Sequence, residues 1–211
     1  GQQRVGRAVA RPTFCTNGET EITSSVTICS NALLSLGDEP IASFDDATPR
    51  ARLAASLYPS CRDYLLRSQP WNFATKRVIL AADTSPPAFG YANRFRQPDD
   101  WLRTMQVGQY AEDRIDYLHE SGYFLTDESV FYLRYVWRND QEATWDALAI
   151  RAMEAVMRQV FTYPVTASTS LEQLTTQVLE PFLKLARTVD GQDNPPDTFG
   201  DFPLLASRYG G

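Results

Sequence analysis

The sequence predicts an α+β fold, mainly α: a four-helix core with an antiparallel β-sheet insertion between helices 2 and 3, and extended arms at both ends. Three observations predict it. In four separate stretches apolar residues recur at spacings of three and four, the mark of a helix with a buried side. Between the second and third stretch lie short runs that alternate, or are rich in aromatic and β-branched residues, joined by tight turns; these read as antiparallel strands. The flanking segments hold no core of their own. The expected organisation is an N-terminal arm over 1–21, a helical core from 22–74 and 138–190, a β insertion over 75–137, and a docking tail over 191–211.

The arm carries Arg4, Arg7 and Arg11 and no apolar periodicity. Two readings stay open for it: a disordered terminus, or an arm that orders on a neighbour or on phosphate. The first helix starts near Ser24 or Ser25. Ile22, Val26, Cys29, Leu33 and Leu36 form one stripe. Gly37 caps its end and Pro40 follows. Asp45 and Asp46 lie in the next turn. Adjacent residues do not face each other on a helix, so solvent-facing and helix-start roles are preferred to an acid/base pair.

The second helix opens at Thr48, whose hydroxyl can cap free N–H groups, with Pro49 in the first turn. Leu53, Leu57, Cys61, Tyr64 and Leu65 line one side. Pro59 is expected to kink or split this helix. Pro70 ends it at a corner, and Trp71 and Phe73 just beyond are expected where helices meet sheet. Strand character then appears at Val78–Leu80, at Tyr91, Asn93 and Phe95, at Met105 and Val107, at Ile115 and Tyr117, at Tyr123–Leu125, and most strongly over Val130–Val136. The many aromatics here fit cross-strand packing or an interface.

Asn139 or Asp140 is the expected cap of the third helix. Trp145, Leu148, Ala149, Ala152, Val156, Val160 and Tyr163 form one stripe, and Ile150, Met153 and Met157 a second. A helix apolar on two sides must bury both. Either it is central in its own domain, or the Ile150–Met153–Met157 flank meets a neighbouring subunit. Pro164 is expected to break the chain. Ser170 with Gln173 reads as a capping box for the fourth helix. Its stripe of Leu171, Leu174, Val178, Phe182, Leu185 and Val189 runs to a stop at Gly191, with a kink expected at Pro181. The tail after it is Pro-rich yet carries Phe199, Phe202, Leu204, Leu205 and Tyr209. Such a tail is expected to dock on something.

Composition sets bounds. An apolar share of 43% and a charged share of 22% are those of a globular protein. No run approaches the roughly eighteen apolar residues of a membrane span, and no apolar signal core opens the chain, so secretion is not expected. A formal charge of -6 disfavours tight nucleic-acid binding by the bulk surface, though not a protein that DNA merely passes. Cys15, Cys29 and Cys61, an odd number and widely spaced, read as reduced thiols in a cytosolic setting. One histidine, His119, and no paired cysteines argue against a metal site, and His119 reads as a solvated turn residue. Phosphate-loop and nucleophile-elbow motifs are missing. No cofactor and no catalytic residue is expected. A glycosidase would need only two carboxylates, which Glu112, Asp113, Asp116, Glu120, Asp127 and Glu128 could supply, but with 26 acidic residues some pair always qualifies.

The segments Asn31-Ala32-Leu33-Leu34-Ser35-Leu36-Gly37-Asp38-Glu39-Pro40-Ile41, Asp45-Asp46, Arg62-Asp63-Tyr64-Leu65-Leu66 and Pro70-Trp71-Asn72-Phe73-Ala74, with Gly122-Tyr123 opening the late strands and the helices from Trp145 to Asp190, stand in a telling order. Together they resemble the tail tubular protein A family, the head-to-tail adaptors of short-tailed bacteriophages. The Leu-Gly turn followed at this distance by Pro-Trp-Asn-Phe is the most specific part. The resemblance implies a homododecameric ring in the virion tail, assembled in the host cytoplasm, between the portal and the tail nozzle, with genomic DNA crossing the channel. Acidic copies around that channel would let DNA slide rather than stick. It also implies a tail, Phe199, Phe202, Leu204, Leu205, Arg208 and Tyr209, that binds the portal. Relatives credited with glycan hydrolysis supply the alternative, a virion-associated cell-wall or capsular glycan hydrolase.

Overall fold

The computed structural model describes residues 23–192. The N-terminal arm with Cys15, the stripe position Ile22, and the tail with Phe199, Phe202, Leu204, Leu205, Arg208 and Tyr209 lie outside the described residues.

The fold is α+β and mainly helical, with four α-helices among the described residues: α1 (Ser25–Ser35), α2 (Pro49–Ser68), α3 (Ala147–Thr166) and α4 (Thr169–Gln192). Between α2 and α3 come six strands: β1 (Thr75–Leu80), β2 (Asn93–Arg96), β3 (Trp101–Val107), β4 (Leu118–Glu120), β5 (Tyr123–Thr126) and β6 (Phe131–Trp137).

The starts of α1 and α2 fall where local chemistry dictates. The Ser24 hydroxyl accepts the Thr27 N–H at 3.2 Å, and the Thr48 hydroxyl accepts that of Ala51 at 3.2 Å. At the end of α1, Gly37 takes φ +80°. Its N–H donates to Leu34 and that of Asp38 to Leu33, so two carbonyls that the helix cannot satisfy find partners. Arg50 then holds Asp38 at 2.9 Å. That hydrogen bond keeps the Asp38 carboxyl below the usual range.

Pro59, Pro164 and Pro181 neither split nor end their helices: each sits inside a continuous one. All three are exposed, and on that side a carbonyl deprived of its partner can turn to water. The stripe on α2 is rotated from expectation. Ala51, Ala54, Tyr58, Cys61, Leu65 and Leu66 are buried, whereas Tyr64 is exposed.

The corner after α2 joins the helices to the sheets. Trp71 is fully buried and donates its indole N–H to the Leu65 carbonyl at 3.1 Å. A single 3-10 turn, Asn72–Ala74, replaces the extended pair expected there. Phe73 lies 5.7 Å from Trp71 and stacks on Trp145 at 5.6 Å. Asn139 does not cap α3. Its amide donates to the Phe73 carbonyl and its oxygen accepts the Gln141 N–H, locking the turn that follows β6. Asp146 is the cap, accepting the Leu148 N–H at 2.7 Å.

The insertion is two antiparallel three-stranded sheets rather than one, ordered β1-β6-β3 and β2-β5-β4. Ile115 and Tyr117 precede β4 instead of forming a strand. Alternation along β1 and β6 sends Val78, Leu80, Leu133 and Phe131 into an aromatic core shared with Phe95 and Phe124 of the other sheet. Phe124 stacks on Phe131 at 5.0 Å. At its rim, Asp100 accepts Lys76 at 2.7 Å and the Tyr135 hydroxyl at 2.9 Å. Burial pushes the Asp100 carboxyl up, but these two donors outweigh it and hold it below its ordinary value.

The larger core belongs to the helices. α3 packs on α1, α2 and α4. Ile28, Leu33, Ala54, Leu65, Ala149, Met153, Phe161 and Leu183 meet there. α4 has a single helical neighbour, α3, among the contacts that join elements extensively.

Candidate interaction surfaces

Most of the two apolar flanks of α3 is covered within the protomer. Met153 and Met157 are fully buried, and Ile150 is half-buried against the same core. Of the two readings open for this flank, the burial of Met153 and Met157 favours a helix central in its own domain and corrects their expected contact with a neighbouring subunit, while Ile150 keeps part of its surface in solvent. Their flank is apolar because α3 runs through the middle of the bundle. Tyr163, at the end of the other stripe, is exposed instead.

The surplus apolar surface lies on α4. The helix begins one residue before the proposed capping box, with the Ser168 hydroxyl accepting the Leu171 N–H at 3.3 Å, and it runs past Gly191. It buries Leu183 and Ala186, one side of the pattern. Much of its leucine and valine stripe faces out: Leu174 is 57%, Val178 65% and Leu185 58% exposed. Leu174 and Val178 also border a groove of about 720 Å³ between α1, α3 and α4, with Ala32, Leu148, Leu179 and Phe182 among its lining residues and Arg151, Glu154 and Arg158 at its edge. Glu154 braces that edge, accepting Asn31 at 2.7 Å and Arg151 at 3.0 Å. The periodicity of α4 was legible in the sequence. That a neighbour covers only one side of it was not.

A second surface sits at the corner. Arg77 on β1 and Arg134 on β6 are direct cross-strand partners, so their side chains share the sheet face opposite the aromatic core. Both line a cavity of about 690 Å³ with Asn72, Trp145, Asp146 and Asp190. Arg134 Nε and Trp145 Nε1 are buried without a hydrogen-bond partner among the described residues. Neither arginine stands out in the sequence; only the strand register, Thr75 opposite Val136 and onward, brings them together.

A third cavity of about 540 Å³ is lined by Asp113 and Glu128, two of the six carboxylates considered for glycan hydrolysis, beside Tyr110 and Arg114. Asp113 is already engaged, accepting the Tyr110 N–H at 2.9 Å. His119 lies on β4, contacts Gln97 at 2.6 Å and stacks on Phe124 at 4.6 Å. Cys29 and Cys61 are free thiols in the helical core. Burial, with Cys61 nearby, pushes the Cys29 thiol up to about 12. Among the described residues no group of three or more His, Cys, Asp or Glu side chains could hold a metal ion, and no helix is long and apolar enough to cross a membrane.

Compared with known protein families and with curated proteins, the chain matches none.

Proposed function

We propose that this chain is a subunit of a ring-shaped head-to-tail adaptor of the kind found in short-tailed bacteriophages, seated in the virion tail between portal and nozzle. In this reading genomic DNA passes through the ring without sequence-specific contacts. One observation carries it. The helical core buries its own apolar residues well, yet α4 leaves Leu174, Val178 and Leu185 in water. A contiguous apolar helix face beside a groove is the kind of surface a partner covers. The layout agrees with the resemblance: two helices, a β insertion, two more helices, and a tail rich in large apolar groups.

In this account α4 takes over the subunit contact first expected of the α3 methionines. Phe199, Phe202, Leu204, Leu205, Arg208 and Tyr209 remain the portal-binding residues. The test is deletion of residues 199–209, followed by cosedimentation with purified portal. Loss of portal binding with an unchanged thermal transition is expected. Undiminished binding by the truncated chain would end the assignment of the tail.

The alternative, a glycan hydrolase, draws on the cavity shared by Asp113 and Glu128. It requires that Asp113→Asn or Glu128→Gln abolish clearing of purified glycan by the full chain.

A further inference from the structure

We propose that Arg77, Arg134 and the indole N–H of Trp145 form a carboxylate clamp for the stretch of this same chain that leaves α4, with Asp193 and Asp197 as its ligands.

The site has donors in excess. Two arginines directly opposite each other on neighbouring strands repel unless an anion lies between them. Neither Arg77 nor Arg134 forms an ion pair or side-chain hydrogen bond with another described residue. Leaving a buried guanidinium N–H and a buried indole N–H unbonded is costly. Neither acid on the cavity wall pairs with these two arginines: Asp146 accepts the Leu148 N–H, and one Asp190 oxygen accepts the Asn72 N–H at 3.4 Å. The positive end of α3 opens onto the same cavity at Asp146, which favours an additional negative group there.

The occupant follows from where the chain goes. Asn72 also donates its side-chain amide to the Asp190 carbonyl at 3.0 Å, fixing the end of α4 at the cavity mouth. The next residues read Gly191-Gln192-Asp193-Asn194-Pro195-Pro196-Asp197-Thr198. Asp193 is three residues past Asp190, at most about 10 Å of extended chain, and Asp197 at most about 24 Å. Both are within reach of a cavity that Asp190 itself lines. Two prolines between them stiffen the segment, which lowers the entropy lost on docking. The open end of the same sheet face, where Ile79 is 64% exposed, lies beyond the arginines and can receive apolar residues further along. A clamped tail root serves any partner that the later aromatics engage, whether or not the chain is an adaptor.

The test is amide hydrogen exchange by mass spectrometry on the full chain, read at Asp193, Asn194, Asp197 and Thr198. In wild type these amides are expected to be protected, and in Arg77→Gln/Arg134→Gln to exchange about tenfold faster, in line with the loss of charge-assisted bonds. Arg77→Gln alone, at an exposed position, should give part of this gain while exchange in α3 stays unchanged. Combining Arg77→Asp with Asp197→Arg should restore protection. Equal exchange in wild type and the double variant overturns the clamp. So does protection that grows with protein concentration, which would assign the ligands to a second copy. Salt-sensitive binding of duplex DNA that needs both arginines, without any change at 193–198, would give the site to nucleic acid instead.

Discussion

Trp71 reaches back over the end of α2 and donates its indole N–H to the carbonyl of Leu65, 3.1 Å away. The bond closes the corner that Pro70 opens, because α2's last carbonyls have no partners further along the helix. It also places the ring among the most deeply buried side chains of the molecule. Trp71→Phe removes the donor and part of the ring. We expect a loss of about 2–4 kcal/mol in urea unfolding, from an unfilled volume plus an orphaned carbonyl.

Gly108 should tolerate no side chain. Its φ is +111°, and a β-carbon placed there would stand 2.5 Å from the Asp113 β-carbon. Gly108→Ala therefore has to distort the backbone and push Asp113 off the Tyr110 N–H. The expected cost is about 2–3 kcal/mol, read as a lowered urea midpoint. A neutral result would show that the 108–113 turn adjusts freely.

Asp100 predicts an acid-labile contribution to stability. Its folded-state pKa lies below the ordinary 3.8. A depressed carboxylate stabilises the fold fully above its unfolded value and loses that contribution as pH falls through the folded one. Wild type should therefore lose more stability than Asp100→Asn as pH is lowered from about 5 to about 2, and the two unfolding curves should converge. Parallel curves would mean that Lys76 and Tyr135 favour the charged form no more than water does.

The α4 face separates assembly from folding. Val178→Glu and Leu174→Glu place charges on positions already in water, so thermal stability should change by no more than about 0.5 kcal/mol. Association of the full chain should fall by at least tenfold, as expected for a charge forced into an apolar contact. Methionine substitutions in α3 should do the opposite. Met153→Ala should cost about 2–5 kcal/mol of stability and affect assembly only through folding.

Much of the fold was legible because its signals are local. Ser24, Thr48 and Gly37 terminate helices through bonds within four residues of themselves. The apolar periodicities survived as elements even where their orientation did not. What escaped the sequence depends on long-range packing. The same stripe looks identical whether a helix is central, like α3, or peripheral, like α4, so two readings stayed open for α3 and the uncovered side of α4 went unseen. Prolines misled because their effect depends on exposure: Pro59, Pro164 and Pro181 all face solvent. Asn139 looked like a helix cap but serves a turn, since its partner Phe73 lies 66 residues back along the chain. The corner surface was hidden for a similar reason. Arg77 and Arg134 are unremarkable as single residues, and only strand register makes them a pair.

The most direct measurement is a count of subunits in projection images of the full-length protein, alone and mixed with portal. The account predicts closed rings of uniform copy number with portal, and their disappearance with Val178→Glu. A chain that stays a single copy under both conditions, with the outer side of α4 exposed throughout, would contradict it.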